Sequence, residues 1–318
     1  MDASALIVVI VLPLAVSAVT TILLGKWRCE PRAQWAAAVA LGYVAGQLAL
    51  KSRAGIALGF ASFVRPHDAR DWLPLVVLLA AGATMLNACA TAAWWRWTAA
   101  LCVLLTIAAP LRLVAGNVRL AQQWSSPEKL AYLVLLAATF GLTWLLLAAT
   151  RDDDVPLLRL LLMPLVAVGA AVVITLSGVI VNGQLCAVVA TALAGTVLGS
   201  WLCNSLGATG SSSRGLAHFA DSSEQNVPVP FLRPRRTNNW ALGGAAGVVT
   251  MSLGGLVVLG CFYAELTAVN AALLFLSLIA AGGPLPEFLS TGPVWRLVVV
   301  RTGLCLTPLM FAIFGSVA

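Results

Sequence analysis

The chain has 318 residues, of which 60% are hydrophobic and only 10% are charged, and its mean hydropathy is +0.95. A soluble domain carries about 25% charged residues, so the composition excludes a soluble globular protein. The formal net charge of +7 does not indicate nucleic-acid binding, because most basic residues lie in short loops beside apolar segments. Such residues orient helices and contact anionic lipid. We therefore predict an integral membrane protein whose main partner is the lipid bilayer.

The apolar segments are continuous and close to the length of about 20 residues that a helix needs to cross a bilayer. Only helices and closed barrels satisfy their backbone polar groups in hydrocarbon, and barrel strands would alternate in polarity. The predicted fold is therefore all-α: a polytopic transmembrane helical bundle of about ten spanning helices, with a range of 9–11, in a single domain over 1–318. The predicted helices are 5–24, 34–50, 72–92, 95–116, 129–149, 155–177, 184–206, 240–262, 266–283 and 294–316.

The first apolar segment resembles a signal peptide but lacks two of its features. The residues before it carry Asp2 and no basic residue, and the apolar run continues to Leu24, with Lys26 following soon after. We expect an uncleaved first helix with its N-terminus outside and the basic loop in the cytoplasm. The predicted location is a plasma (inner) membrane.

Three further segments carry predictions. The apolar stretch 55–64 is too short to span, and it is expected to lie in the interface, to re-enter, or to extend a neighbouring helix. A turn at 181–183 is expected to separate the sixth and seventh helices. The stretch 208–239 is rich in serine, glycine and proline, and this composition predicts a flexible polar loop. Candidate contacts of that loop with anionic lipid or a protein partner are Arg233, Arg235 and Arg236.

No motif in the chain predicts catalysis, a cofactor or a metal site. The seven cysteines form no C-x-x-C pair and are expected to pack as small apolar residues. Gly210–Gly215 lacks the lysine of a phosphate loop. The cluster Asp152–Asp154 is expected to cap the next helix, and His67 and His218 have no second ligand at metal-binding spacing. The sequence thus leaves enzymatic activity open and favours a non-enzyme.

Polar side chains inside the spans are the stronger functional indication, because they are costly there and are usually functional. Asn87, Gln47 and Arg301 are the candidate residues of a solute pathway. Arg159 lies near a helix end, where it is expected to extend toward the headgroups. The deep interior is expected to hold no carboxylate, which argues against a proton relay. It does hold the hydroxyls of Thr106, Thr143, Thr250 and Ser252.

Three G-x-x-x-G pairs predict faces on which helices approach closely. They are expected to pack the bundle itself, or alternatively to form a homo-oligomer. The pairs are Gly42/Gly46, Gly195/Gly199 and Gly243/Gly247.

Three functions remain open, and the first two are favoured equally. The first is a permease for a small neutral or weakly charged solute, and in helix count and length the chain resembles small ten-helix permeases of the drug/metabolite type. That likeness is one of size alone. The alternative is a non-catalytic membrane subunit or scaffold that docks membrane-complex partners through the 208–239 loop. The third is an intramembrane enzyme that acts on lipid, which would need acidic or histidine residues that the spans do not offer.

Overall fold

The computed structural model describes residues 3–27, 29–53, 68–89, 95–115, 126–149, 156–215, 239–285, 289 and 293–317. Within these residues the regular structure is helical and contains no strand, which confirms the all-α prediction. The helices are α1 (Ala3–Lys26), α2 (Pro31–Arg53), α3 (Ala69–Cys89), α4 (Trp95–Ala115), α5 (Ser126–Ala148), α6 (Pro156–Leu176), α7 (Ile180–Gly215), α8, α9 (Ala268–Gly282) and α10 (Val294–Val317). The helix α8 has three consecutive parts, which are Asn239–Val249, a π-helical turn at Thr250–Gly254, and Gly255–Tyr263.

Among the described residues, nine helices are long and apolar enough to cross a membrane. The remaining helix, α9, is equally apolar but has 15 residues. Large apolar side chains cover the outside of the bundle; Leu145 on α5, for example, is 69% exposed. The chain is therefore an integral membrane protein.

The helix α8 is the axis of the bundle. It packs against α2, α3, α4, α5, α7 and α9, and its span Gly244–Tyr263 is 89% buried, whereas Pro127–Ala148 on α5 is 22% buried. Small residues make this position possible, because glycine and alanine let neighbouring backbones approach closely. The core of the protein is thus built around one helix of the C-terminal half.

The helix α1 lies in a groove between α2 and α7. Gly42 and Gly46 of α2 face α1 on one side, and Gly195 and Gly199 of α7 face it on the other. A Cβ atom at Gly195 would lie 2.9 Å from Leu14 Cα, which is closer than a side chain can approach. For these two G-x-x-x-G pairs the prediction of packing within the bundle is confirmed.

The proline inside α1 is accommodated by its neighbour. Pro13 has no amide hydrogen, so the carbonyl of Val9, four residues earlier, loses its partner in the helix. Thr191 Oγ1 of α7 lies 3.3 Å from Val9 O and 3.0 Å from Val188 O of its own helix, so its one hydrogen is shared between the two carbonyls. The groove therefore supplies a hydrogen bond as well as a close-packed surface.

The predicted turn at 181–183 is wrong. The chain reverses just before it, at Gly178, whose φ of +93° is a conformation that favours glycine. Gly183 lies inside α7, and a Cβ atom there would meet the side chain of Thr175 and lie 2.9 Å from Ala171 O. The glycine at 183 is therefore required by close packing on α6 rather than by a turn.

The helix α7 also continues into the predicted polar loop. It runs to Gly215, so the start of that loop at 208 is wrong. Extending an existing helix costs far less than nucleating one, because each added residue gains one backbone hydrogen bond. The rest of the predicted loop, 216–238, and the stretch 55–64 lie outside the described residues.

Candidate functional site

The middle of α8 is irregular. Its π-helical turn, Thr250–Gly254, consists entirely of buried residues. In a π turn the backbone amides bond to the carbonyl five residues earlier instead of four. This change leaves one backbone carbonyl without an amide partner, and that carbonyl needs another hydrogen-bond donor. Ser252 Oγ can donate to the carbonyls just before the turn, because it lies 2.8 Å from Val248 O and 3.3 Å from Val249 O.

The first residue of the turn carries a hydroxyl that is not used. Thr250 is wholly buried, and its Oγ1 has no hydrogen-bond partner in the described structure. A buried threonine in a helix usually bonds to the carbonyl four residues earlier, as Thr196 Oγ1 does to Ala192 O at 2.9 Å. An unpaired buried hydroxyl costs about 1–3 kcal/mol. Thr250 is one of four wholly buried hydroxyls without a partner in the described structure; the others belong to Tyr43, Thr143 and Ser277.

Aromatic rings from two helices close on the same turn. A Cβ atom at Gly254 would lie 3.1 Å from the ring of Phe140 on α5 and 3.3 Å from that of Phe275 on α9. The two rings are tilted, with centroids 6.0 Å apart. A small apolar cavity of about 10 Å³ lies beside Leu253 and Gly254. It has no polar lining to hold a water molecule.

Gln47, the first of the predicted pathway residues, bonds to a backbone carbonyl. Its Nε2 donates to Arg70 O at 3.2 Å, and this is the carbonyl that Pro74 leaves without an amide partner. The side chain is buried, and its Oε1 has no partner in the described part of the chain. Gln47 thus joins α2 to α3 in the same way that Thr191 joins α7 to α1.

The structure does not bring Asn87 and Gln47 together. Asn87 is exposed in the last turn of α3, where its Oδ1 accepts a hydrogen bond from Thr98 Oγ1 of α4 at 3.1 Å. Arg70, the partner of Gln47, lies 17 residues earlier on α3, which corresponds to about 26 Å. Gln47 of α2 therefore contacts the start of α3, whereas Asn87 lies at the end of α3.

Arg301, the third predicted pathway residue, is buried at the C-terminus of α9. Its Nη1 donates to Ala281 O at 3.2 Å and its Nη2 to Gly283 O at 3.1 Å. Arg159 Nη2 of α6 reaches Gly283 O at 3.4 Å. With 15 residues, α9 is about 22 Å long, so it is shorter than a hydrocarbon core of about 30 Å. Its last carbonyls therefore need protein donors.

The prediction that Arg159 extends toward the headgroups is wrong, because its side chain is buried and directed at α9. An ion pair was also missed. Lys51 of α2 binds Asp71 in the first turn of α3, and Asp71 is buried. The sequence held a signal for it, since Lys51 lies in the last turn of α2 and Asp71 in the first turn of the next helix, α3.

Several predicted features lie outside the described residues, so the structure does not place them. In the part of the chain that the structure describes, no group of three or more His, Cys, Asp or Glu side chains is placed to hold a metal ion. The features outside are His67, His218, Asp152–Asp154, Arg233, Arg235 and Arg236. No protein-family model, no curated protein and no solved structure matches this chain.

Proposed function

We propose that this integral membrane protein is a permease for a small solute and that the solute passes along α8 at its π turn. The observation that carries the proposal is that the central helix changes to π-helical winding in the middle of its span, beside a buried hydroxyl with no partner among the described residues. π-helical turns occur frequently at functional sites.

The contrast with other buried polar groups supports this assignment. Ser17 donates to Ala38 O at 3.0 Å, and Thr191 and Gln47 likewise bond to the backbone of a neighbouring helix. These side chains hold helices together, which is the usual role of polar groups in a membrane bundle. Thr250 makes no such bond within the described part of the bundle, a property that it shares with Tyr43, Thr143 and Ser277, and it is the one of these four that lies in the π turn.

Solute flux tests the proposal. The full chain is reconstituted in liposomes, and the entry of glycerol, urea and erythritol is followed by light scattering after osmotic shock. We expect at least one solute to enter faster than into protein-free liposomes, and Thr250→Val to slow it. Thr139→Val is the matched control, because that hydroxyl bonds to Leu135 O within α5. Entry at the protein-free rate for every solute would overturn the proposal.

One observation favours the alternative, a non-catalytic subunit or scaffold. The apolar span of α7 ends at Cys203, but the helix continues to Gly215, about 18 Å further. This extension carries the start of the polar stretch away from the bilayer, where a partner could bind it. Replacing 216–238 by a Gly-Ser linker of equal length would separate the two functions. A scaffold loses a larger complex on native gels, whereas a permease keeps its solute flux.

A further inference from the structure

Two wholly buried threonines of the bundle share an unusual property. Thr143 on α5 and Thr250 on α8 each have an Oγ1 without a hydrogen-bond partner among the described residues. Neither hydroxyl bonds back to its own helix, although that acceptor is always within reach of a helical threonine. Each therefore retains both its donor and its acceptor capacity.

The register of α5 against α8 places these two hydroxyls at the same depth. Phe140 of α5 lies against Gly254 of α8, and Trp144 of α5 lies against Gly247, so the two helices run in opposite directions. Each hydroxyl lies between these two contacts on its own helix. With about 1.5 Å per residue, both are about 5 Å from the level of the Phe140–Gly254 contact.

From this register we infer that Thr143 and Thr250 together form the recognition site for a neutral solute that carries hydroxyl or amide groups. The inference rests on the proposed permease function and names its substrate class. The segments Phe140–Leu147 and Gly244–Tyr263 carry no Asp, Glu, Lys or Arg. A charged solute would lose its hydration there without compensation, whereas an alcohol or amide exchanges water for two hydroxyls.

The aromatic residues of α5 complete the selection. The rings of Phe140 and Trp144 lie one on each side of the predicted site along the helix and face α8. They give the site apolar walls, and small-molecule sites combine such walls with a few placed polar groups. The expected ligands are therefore compact polyols and urea-like amides rather than sugars or ions.

The test is a double-mutant cycle on solute entry into liposomes. The variants are Thr143→Val, Thr250→Val and their combination, with Thr139→Val as control and glycerol and urea as solutes. Each single substitution removes one hydrogen bond to the solute and should slow entry about fivefold to tenfold. Because both hydroxyls bind one molecule, the effect of the double variant on solute entry should differ from the sum of the two single effects, expressed as free energies. Thr250→Ser keeps the hydroxyl and should keep the wild-type rate.

The possible outcomes separate this inference from the permease proposal. If the wild-type protein passes no solute, the permease proposal itself fails. If it passes glycerol or urea and both valine variants retain that rate, the permease stands and this site is wrong. If the valine variants change only the unfolding temperature, the hydroxyls hold a structural water, which also overturns the inference. If the double variant slows solute entry by the sum of the two single effects, the two hydroxyls act at separate sites. That result would contradict a single site formed by both.

Discussion

A proline in a membrane helix leaves one carbonyl without an amide, and for two prolines of this bundle a side chain of a neighbouring helix lies within hydrogen-bonding distance of that carbonyl. Thr191 is this side chain for the carbonyl that Pro13 exposes, and Gln47 for the one that Pro74 exposes. In hydrocarbon no water can take that place. Each of these side chains is therefore expected to stabilise the protein when its proline is present, and to contribute much less when the proline is replaced.

Gln47→Leu should lower the free energy of unfolding by about 0.5–1.5 kcal/mol, because it removes the hydrogen bond from Gln47 Nε2 to Arg70 O. In a Pro74→Ala background the same substitution should cost much less, since replacing the proline restores the helical amide. Thermal unfolding in detergent measures both. An equal cost in the two backgrounds would show that Gln47 acts in another way.

Arg301→Leu should destabilise the protein more than Arg159→Leu. Arg301 bonds to two carbonyls at the end of α9, at 3.2 and 3.1 Å, whereas the bond of Arg159 to the same segment is 3.4 Å long. A hydrogen bond from a charged donor contributes about 1.5–3 kcal/mol. Chemical unfolding in mixed micelles would measure the difference, and a smaller loss for Arg301 would contradict the account.

At the scale of the helices, the fit of α1 into its groove depends on the absence of side chains. Gly195→Leu should prevent α1 from packing, because a Cβ atom at this position already overlaps the backbone at Leu14. Gly303→Leu on α10 is the matched control, since no atom of the described structure lies within 4 Å of its Cβ position. Size-exclusion chromatography should show aggregation for the first variant alone. Monodisperse Gly195→Leu protein would refute the groove.

The π turn of α8 contains one residue more than the same turn of an α-helix would. Deleting one residue from the turn tests this description. Removing Met251 should restore α-helical bonding and keep the contacts of α8 on both sides of the turn. We expect unchanged helical content by circular dichroism and a loss of solute flux. Removing Leu259 instead should unfold the protein, because it rotates everything beyond by about 100°. Equal damage by both deletions would contradict this description.

Helix positions were predictable from sequence because the bilayer fixes how long an apolar run must be. The roles of individual residues were less predictable from the sequence. An Asn-Gly pair at 182–183 suggested a turn, but only the packing of α6 on α7 shows that Gly183 serves close approach. The π turn leaves no periodic signal, since Thr250–Gly254 are apolar or small like their neighbours. Thr250 was therefore recognised only as one buried hydroxyl among several.

At the scale of the whole molecule, the two halves of the chain are interleaved. The axial helix α8 comes from the second half and is surrounded by α2, α3, α4 and α5 of the first. Hydropathy cannot predict this arrangement, because lipid chains are as apolar as the helix surfaces and do not select a neighbour. Small residues and buried polar bonds select it instead. The external N-terminus stays a prediction from the distribution of basic residues.

The most direct test of the central claim, that the π turn of α8 lies on a solute pathway, is the water accessibility of Thr250. Thr250→Cys is introduced into the reconstituted protein, and its reaction with a membrane-impermeant thiol reagent is measured against the wild-type background. Val258→Cys, on the same helix and 1% exposed in the native chain, is the control. The account predicts that Thr250→Cys reacts, that a transported solute slows this reaction, and that Val258→Cys stays inert. Equal inertness of the two cysteines would contradict it.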